Sequence, residues 1–298
     1  MSPDGTLAAD WYEMPRYYDI VFDAGSEQEA RFLEAVHRLH GKSRGKRALE
    51  PACGSGRLVL ALARRGWRVT GFDLSQAMLA YARERLERTE ARERARRSLA
   101  DHSRADHGRR TNLALAPSRS SCAHPPLRTE LVLADMTAFR FRDRFDLAHC
   151  LVSSFKYLLD EASARSHLEC VARALAPGGI YALGFHLSEY GNRARSRERW
   201  VERRGGTTVI CNTQVWPADR RSRIEDVRTR LRVREHGRES RSETHWRFRT
   251  YDEREVMRLF RSVPALEHVA TYDFGYDVDR PRDWPDDQLD CVFVLRKR

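Results

Sequence analysis

The feature that most constrains this chain is a short run, Arg47 to Glu50, that breaks into Pro51-Ala52-Cys53-Gly54-Ser55-Gly56 and is followed by a Leu- and Ala-rich helical stretch, Leu58 to Arg65. A second run, Arg68 to Phe72, stops at Asp73, and Ser75 then caps a stretch with Met78, Leu79, Ala82 and Leu86 at helical spacing. Strand, glycine turn, helix, strand is a βαβ unit, and it predicts a parallel sheet covered on both faces. The rhythm recurs. Leu131 to Ala134 ends in Asp135, Phe145 to Val152 is long and apolar, a helix over 161–175 stops at Pro177-Gly178-Gly179, and Ile180 to Phe185 reads as a fifth strand. A helix from Asp252 to Val263, with Asp252 and Glu255 in capping-box relation, precedes strands at Leu266 to Tyr272 and Asp290 to Leu295.

Ahead of this core lie the aromatic pairs Trp11-Tyr12 and Tyr17-Tyr18, and a helix expected to open on a Ser26/Glu29 capping box with Phe32, Leu33, Val36 and Leu39 on one face. Two segments break the rhythm. Residues 88–128 start as a helix extension, finish in Ala116-Pro117-Ser118-Arg119-Ser120-Ser121, and read as a disordered basic insert. Residues 188–250 alternate with period two in Thr207 to Val215, Ile224 to Val233 and Thr244 to Phe248, which predicts an antiparallel platform. The Arg-rich runs Arg193 to Arg204 and Arg220 to Arg223 read as solvated faces and loops. Trp200, Trp216 and Trp246 on the platform read as core or interface residues rather than a substrate cage.

In an open α/β sheet, ligands bind beyond the carboxyl ends of the strands, where strand order reverses. Gly54 and Gly56 let backbone approach a ligand there, and the helix starting near Arg57 offers unpaired N–H groups suited to a carboxylate or phosphate. The third glycine of a dinucleotide fingerprint is replaced by Val59, which weakens a dinucleotide reading. Asp73, 19 positions after Gly54, can accept both ribose hydroxyls, and Asp135 can accept an adenine amine. A glycine turn with two strand-terminal acids fits an adenosine ligand without pyrophosphate.

Leu49 to Gly56 resembles motif I of the class I S-adenosylmethionine-dependent methyltransferases, and Gly71 to Met78 resembles their second motif. Ala134-Asp135-Met136 is similar to the adenine-contacting motif, Phe145 to Cys150 to the fourth strand, and Leu175 to Gly179 to the turn before the fifth. These motifs cover residues 46–187 in family order. The resemblance implies a Rossmann-like, doubly wound, mostly parallel seven-stranded sheet with an antiparallel insertion after the fifth strand. It divides the chain into an N-terminal helical cap (1–45), a cofactor-binding core (46–187), the platform (188–250) and a C-terminal return to the core (251–298). It also implies S-adenosylmethionine held by Ala52, Cys53, Gly54 and Gly56, with ribose on Asp73. Leu74 and Met78 would lie against the adenine, Asp135 and Met136 at its edge, and Cys150 nearby. Glu50 is similar to the acid that orients the turn and the cofactor's methionine end. Tyr17-Tyr18-Asp19 resembles the tyrosine motif that closes over the cofactor in small-molecule N-methyltransferases, making Tyr18 a cofactor contact.

A sulfonium is already a good electrophile, so methyl transfer asks mainly for proximity, alignment and exclusion of water. Candidates for acceptor binding or proton handling are His149, Ser153, Ser154, Lys156, Tyr157 and His186, with Tyr157 and His186 kept as catalytic candidates. His149, inside an apolar strand, reads as a hydrogen-bonded core residue, and His186, at a strand end facing the cleft, reads more readily as structural than as functional.

The formal net charge of +11 raises nucleic acid as a partner, yet residues 88–128 alone hold ten arginines against four acids and no Phe, Trp or Tyr. No membrane span, secretory leader or metal site is expected, and the six scattered cysteines read as buried free thiols in a cytosolic protein. The platform offers a face on which two copies could pair. Methylation of a small molecule at an amine nitrogen leads the readings. Alternatives are an RNA or protein methyltransferase, a non-catalytic S-adenosylmethionine-binding protein, and a dinucleotide oxidoreductase.

Overall fold

The computed structural model describes residues 7–108, 127–283 and 288–298. In chain order its elements are β1 (Leu7–Ala8), α1 (Pro15–Phe22), α2 (Ser26–His40), β2 (Arg47–Pro51), α3 (Arg57–Arg64), β3 (Arg68–Asp73), α4 (Gln76–Gly108), β4 (Arg128–Leu133), β5 (Phe145–Cys150), α5 (Glu161–Ala174), β6 (Leu175–His186), β7 (Ser196–Arg204), β8 (Thr207–Val215), β9 (Ile224–Glu235), β10 (Arg238–Arg249), α6 (Glu253–Arg261), β11 (Leu266–Tyr272) and β12 (Asp290–Lys297).

The larger sheet has seven strands in the order β11-β12-β6-β5-β2-β3-β4. Strands β2 to β6 run parallel, and β12 joins antiparallel to both β6 and β11. Its strands are apolar on both faces because both are covered: α5 and α6 pack Leu168, Val171, Val256 and Phe260 on one side, and α2, α3 and α4 pack Leu33, Leu62 and Leu79 on the other. Strand order reverses between β2 and β5, so the crevice at their carboxyl ends is where a ligand fits.

The smaller sheet, β1-β10-β9-β8-β7, is an antiparallel meander with β1 added in parallel to β10. Every second residue of β9, Glu225, Val227, Thr229, Leu231 and Val233, is buried, and Trp11, Ile20 and Val21 from the N-terminal segment cover that face. The N-terminal segment is thus the filler between platform and core.

Residues 88–108 continue α4 to Gly108 as the expected helix extension, favoured by Ala, Arg, Glu and Leu and by i,i+4 pairs such as Glu90–Arg94; the part of the insert read as disordered, 109–126, lies outside the described residues. Two local expectations change. Residues 196–204 of the run read as loop are strand β7, paired along its length with β8, its arginines sitting on an exposed edge strand. At α2 no side chain caps the helix; Glu29 instead turns to Arg57, which it grips through both oxygens at 2.6 and 2.8 Å. The Asp252/Glu255 capping box is present, and Ser75 Oγ accepts the Met78 N–H at 3.1 Å. Cys53, Cys150, Cys170, Cys211 and Cys291 are free and buried; Cys122 lies outside the described residues. No helix among the described residues is long and apolar enough to cross a membrane.

Candidate functional site

At the end of β2 the backbone turns through left-handed positions at Ala52, Gly54 and Gly56. Gly56 must lack a side chain: at φ +69°, a Cβ would sit 3.0 Å from Ala82 Cβ, so the glycine lets α3 and α4 cross closely. Gly54 donates its N–H to Asp73 Oδ2 at 2.8 Å, and Ser75 donates to Oδ1 at 2.9 Å. Asp73 is thereby fixed at the tip of β3 with lone pairs left over. Burial raises its pKa despite these backbone donors.

Around this turn lies a cavity of about 420 Å³, walled by Ala52, Gly54, Asp73 and Leu74 from the core, Met136 after β4, Tyr157 after β5, and Tyr12 and Tyr18 from the N-terminal segment. A crevice of about 20 Å³ adjoins it through Tyr18, Ala52 and Ser154 and reaches Glu50 and Cys53. Glu50 is 7% exposed, and its Oε2 has no hydrogen-bond partner among the described residues. Arg57, the nearest strong cation, is engaged by Glu29, and burial drives the Glu50 pKa well up. A buried carboxylate in this condition is a receptor for a cation.

Four residues expected at the cofactor, and the catalytic candidate His186, lie off the cavity wall. Gly56 serves helix packing, and Met78 is fully buried in the first turn of α4. Asp135 is exposed, with Oδ1 accepting the Thr137 N–H at 2.7 Å and its hydroxyl at 2.8 Å, so it closes a turn at the rim while Ala134 and Met136 face inward. Cys150 is 2% exposed inside the sheet, where burial pushes its thiol up to about 12. His186 belongs to a junction with the platform: its Nε2 lies 2.7 Å from Lys156 Nζ and 3.2 Å from Glu225 Oε1, and its Nδ1 lies 3.3 Å from Ser153 Oγ.

Lys156 is fully buried and donates to Glu225 at 2.7 Å. Burial lowers the Lys156 pKa against the pull of Glu225. For Glu225, burial works upward but is outweighed by His186 and Lys156, and the carboxyl is held at about 2. Val152 and Ser153, both at positive φ, form the bend that brings Lys156 under the platform. His149 departs from expectation, since neither ring nitrogen makes a hydrogen bond among the described residues, Nδ1 lying 3.9 Å from Glu50 Oε1, and burial lowers its pKa to about 3.

Sequence reasoning missed two residues. Tyr12 was noticed only as part of an aromatic pair, yet its hydroxyl lies 2.6 Å from that of Tyr157. Glu225 carried a usable signal, because the alternation of β9 puts it on the same face as Val227 and Leu231, and a carboxylate on an apolar face requires a partner.

A family model described as a methyltransferase domain matches residues 49–181, from β2 into β6. Residues 49–181 thus resemble a methyltransferase domain. Over 172 residues, 58% of the chain, it is 32% identical to "Putative methyltransferase YqeM" of Bacillus subtilis (strain 168), covering 53% of that protein. The chain spans about half the length of the curated relatives it matches. The sugar N-methyltransferase KedS8 of Streptoalloteichus superposes with a TM-score of 0.66 at 17% identity, over 100% of this chain and 97% of that one. CalS10 of Micromonospora echinaspora, an amino pentose methyltransferase bound to S-adenosylmethionine, superposes at 0.58 with 17% identity, over 97% and 92%. At such identities the two structures establish a shared fold. The cavity fits S-adenosylmethionine in three respects: a volume within the small-molecule range, a buried carboxylate at the inner end with one oxygen free of hydrogen bonds among the described residues, and a backbone-anchored Asp73 beside apolar walls.

Proposed function

We propose that this protein methylates a small-molecule acceptor at an amine nitrogen. The observation that carries the reading is the roof: Tyr12 and Tyr18 close over the glycine turn and, with Tyr157, make a pocket rather than the open groove a polymer would need. The bound cofactor supplies an electrophilic methyl group on a sulfonium sulfur. Glu50 takes its ammonium end, Asp73 accepts from the ribose hydroxyls, and Leu74 and Met136 hold the adenine between apolar surfaces. Cys53 borders the inner crevice and Gly54 gives backbone clearance; Asp135 marks the rim.

Tyr157 faces the cavity with its hydroxyl oriented by Tyr12, and burial raises the pKa of both phenols, so they stay protonated and orient an acceptor rather than take its proton. Acceptor nitrogen therefore enters unprotonated, or loses its proton to water before alignment. Asp10 and Glu13 line the same cavity and favour approach of a cationic amine. The sugar N-methyltransferase likeness of KedS8 supports the same choice. An RNA acceptor is less supported, since platform arginines pair locally, Arg230 with Glu243 and both Arg234 and Arg241 with Glu239.

The test is methyl-labelled S-adenosylmethionine with matched amino and hydroxy sugars. Label is expected on the amine; label only on the hydroxy sugar, or only on RNA or protein, overturns the reading.

A further inference from the structure

A second cleft, about 590 Å³, lies between α1, α3, α4 and the turn joining β7 to β8, and it shares no lining residue with the cofactor cavity. Six arginines enter it: Arg16, Arg64, Arg85, Arg88, Arg92 and Arg204, against the carboxylates Asp19 and Glu84. Arg85, Arg88 and Arg92 sit three and four positions apart, so α4 presents them on one face, where like charges repel unless countered. Gly205, at φ +53° with open space around it, leaves the turn side of the cleft uncrowded.

The arginines fall into two sets. Arg16, Arg85 and Arg204 are engaged, Arg16 with Glu235 at 2.6 Å and the other two each bridging Asp19 and Asp23. Arg64 and Arg88 have only exposed pairs, with Glu93 at 3.1 Å and Glu84 at 3.8 Å, and Arg92 forms no ion pair among the described residues. Exposed pairs of that kind are readily exchanged for a better anion. Guanidinium forks from facing helices are the geometry that grips a phosphate through paired N–H groups.

Asp19 ties the cleft to the other site. It is 1% exposed, and it accepts from Ser55 Oγ at 2.8 Å, from Tyr81 at 3.0 Å and from Arg204 at 2.6 Å. Ser55 is in the glycine turn, and Tyr18, next to Asp19, roofs the cofactor cavity.

We propose that this arginine cleft binds a phosphorylated small-molecule anion, and that the bound anion clamps α1 onto α3 and α4 and so tightens the cofactor cavity through Asp19 and Ser55. The coupling half rests on the methyltransferase reading of that cavity; the binding half does not. By linkage, cofactor and anion must strengthen each other equally.

Calorimetry on the full chain tests both halves, with inorganic pyrophosphate as probe, a nucleoside diphosphate as second arm and sulfate at matched ionic strength as control. Saturable 1:1 pyrophosphate binding is expected, weakened by about tenfold or more in R88A/R92A, a variant whose cofactor affinity without pyrophosphate is unchanged. Tighter binding of the nucleoside diphosphate identifies an esterified ligand, and tighter binding of pyrophosphate a free one. Saturating pyrophosphate should tighten S-adenosylmethionine binding by about fivefold or more, and Ser55→Ala should abolish that gain while keeping pyrophosphate affinity. Heat that merely tracks ionic strength, or survives R88A/R92A, overturns the site. Pyrophosphate binding with no change in cofactor affinity overturns the coupling. Absence of S-adenosylmethionine binding in the titration without pyrophosphate counts against the cofactor reading alone.

Discussion

The cavity at the strand tips of the parallel core and the junction beneath the antiparallel platform are built by opposite means. In the core, the functional groups sit at strand tips: Gly54 and Asp73 are held by bonds within a single βαβ unit, Gly54 N–H to Asp73 at 2.8 Å. In the platform, the groups that matter act across long sequence separations, as Glu225 does on Lys156, 69 positions away. A site built from one supersecondary unit is specified locally; one built at a junction exists only once two sheets have docked.

The sharpest way to break the comparison is at that junction. Lys156→Ala leaves Glu225 buried without its cation and is expected to cost about 3–5 kcal/mol in urea unfolding, while a paired Lys156→Met, Glu225→Gln change recovers much of it. A loss under about 1 kcal/mol would mean that the pair behaves as a surface bridge and the platform is held by apolar packing alone. The junction also has a pH signature. Because Glu225 titrates at about 2 when folded against an ordinary 4.5, its contribution is present above pH 4.5 and fades as pH falls toward 2. Acid unfolding of Glu225→Gln should lose that component, and an unchanged acid limb would count against it.

A smaller effect is expected inside the core. Gly56→Ala forces a side chain into φ +69° and against Ala82, for a loss of about 1–3 kcal/mol by thermal or urea unfolding. Stability equal to the parent would show that α3 and α4 can part at no cost. Smallest is Tyr157→Phe. Losing one neutral hydroxyl should raise acceptor KM by about three- to tenfold and leave cofactor affinity and fold intact. A fall in cofactor affinity instead would place Tyr157 in the core's share of the site.

How much could be read beforehand follows the same division. Strands β2 and β3 run up to Glu50 and Asp73, and Pro177-Gly178-Gly179 separates the helical pattern of α5 from the apolar run Ile180 to Phe185 of β6, so core order and the glycine turn were legible. Strand β7 was not, because an edge strand of alternating arginines and glutamates looks like a solvated loop until β8 pairs with it. Ser26 and Glu29 fit a capping box locally, but the buried Arg57 is a stronger partner than a helix end. His186 was visible as a strand-end histidine and yet belongs to the Lys156 and Glu225 network, a fact settled by how the platform docks.

The account stands most directly on Asp73. Calorimetry should show one S-adenosylmethionine bound per chain, no binding of NAD, and a loss of about 1.5–3 kcal/mol in Asp73→Ala with the fold retained by circular dichroism. Binding of NAD, or S-adenosylmethionine affinity untouched by Asp73→Ala, would contradict it.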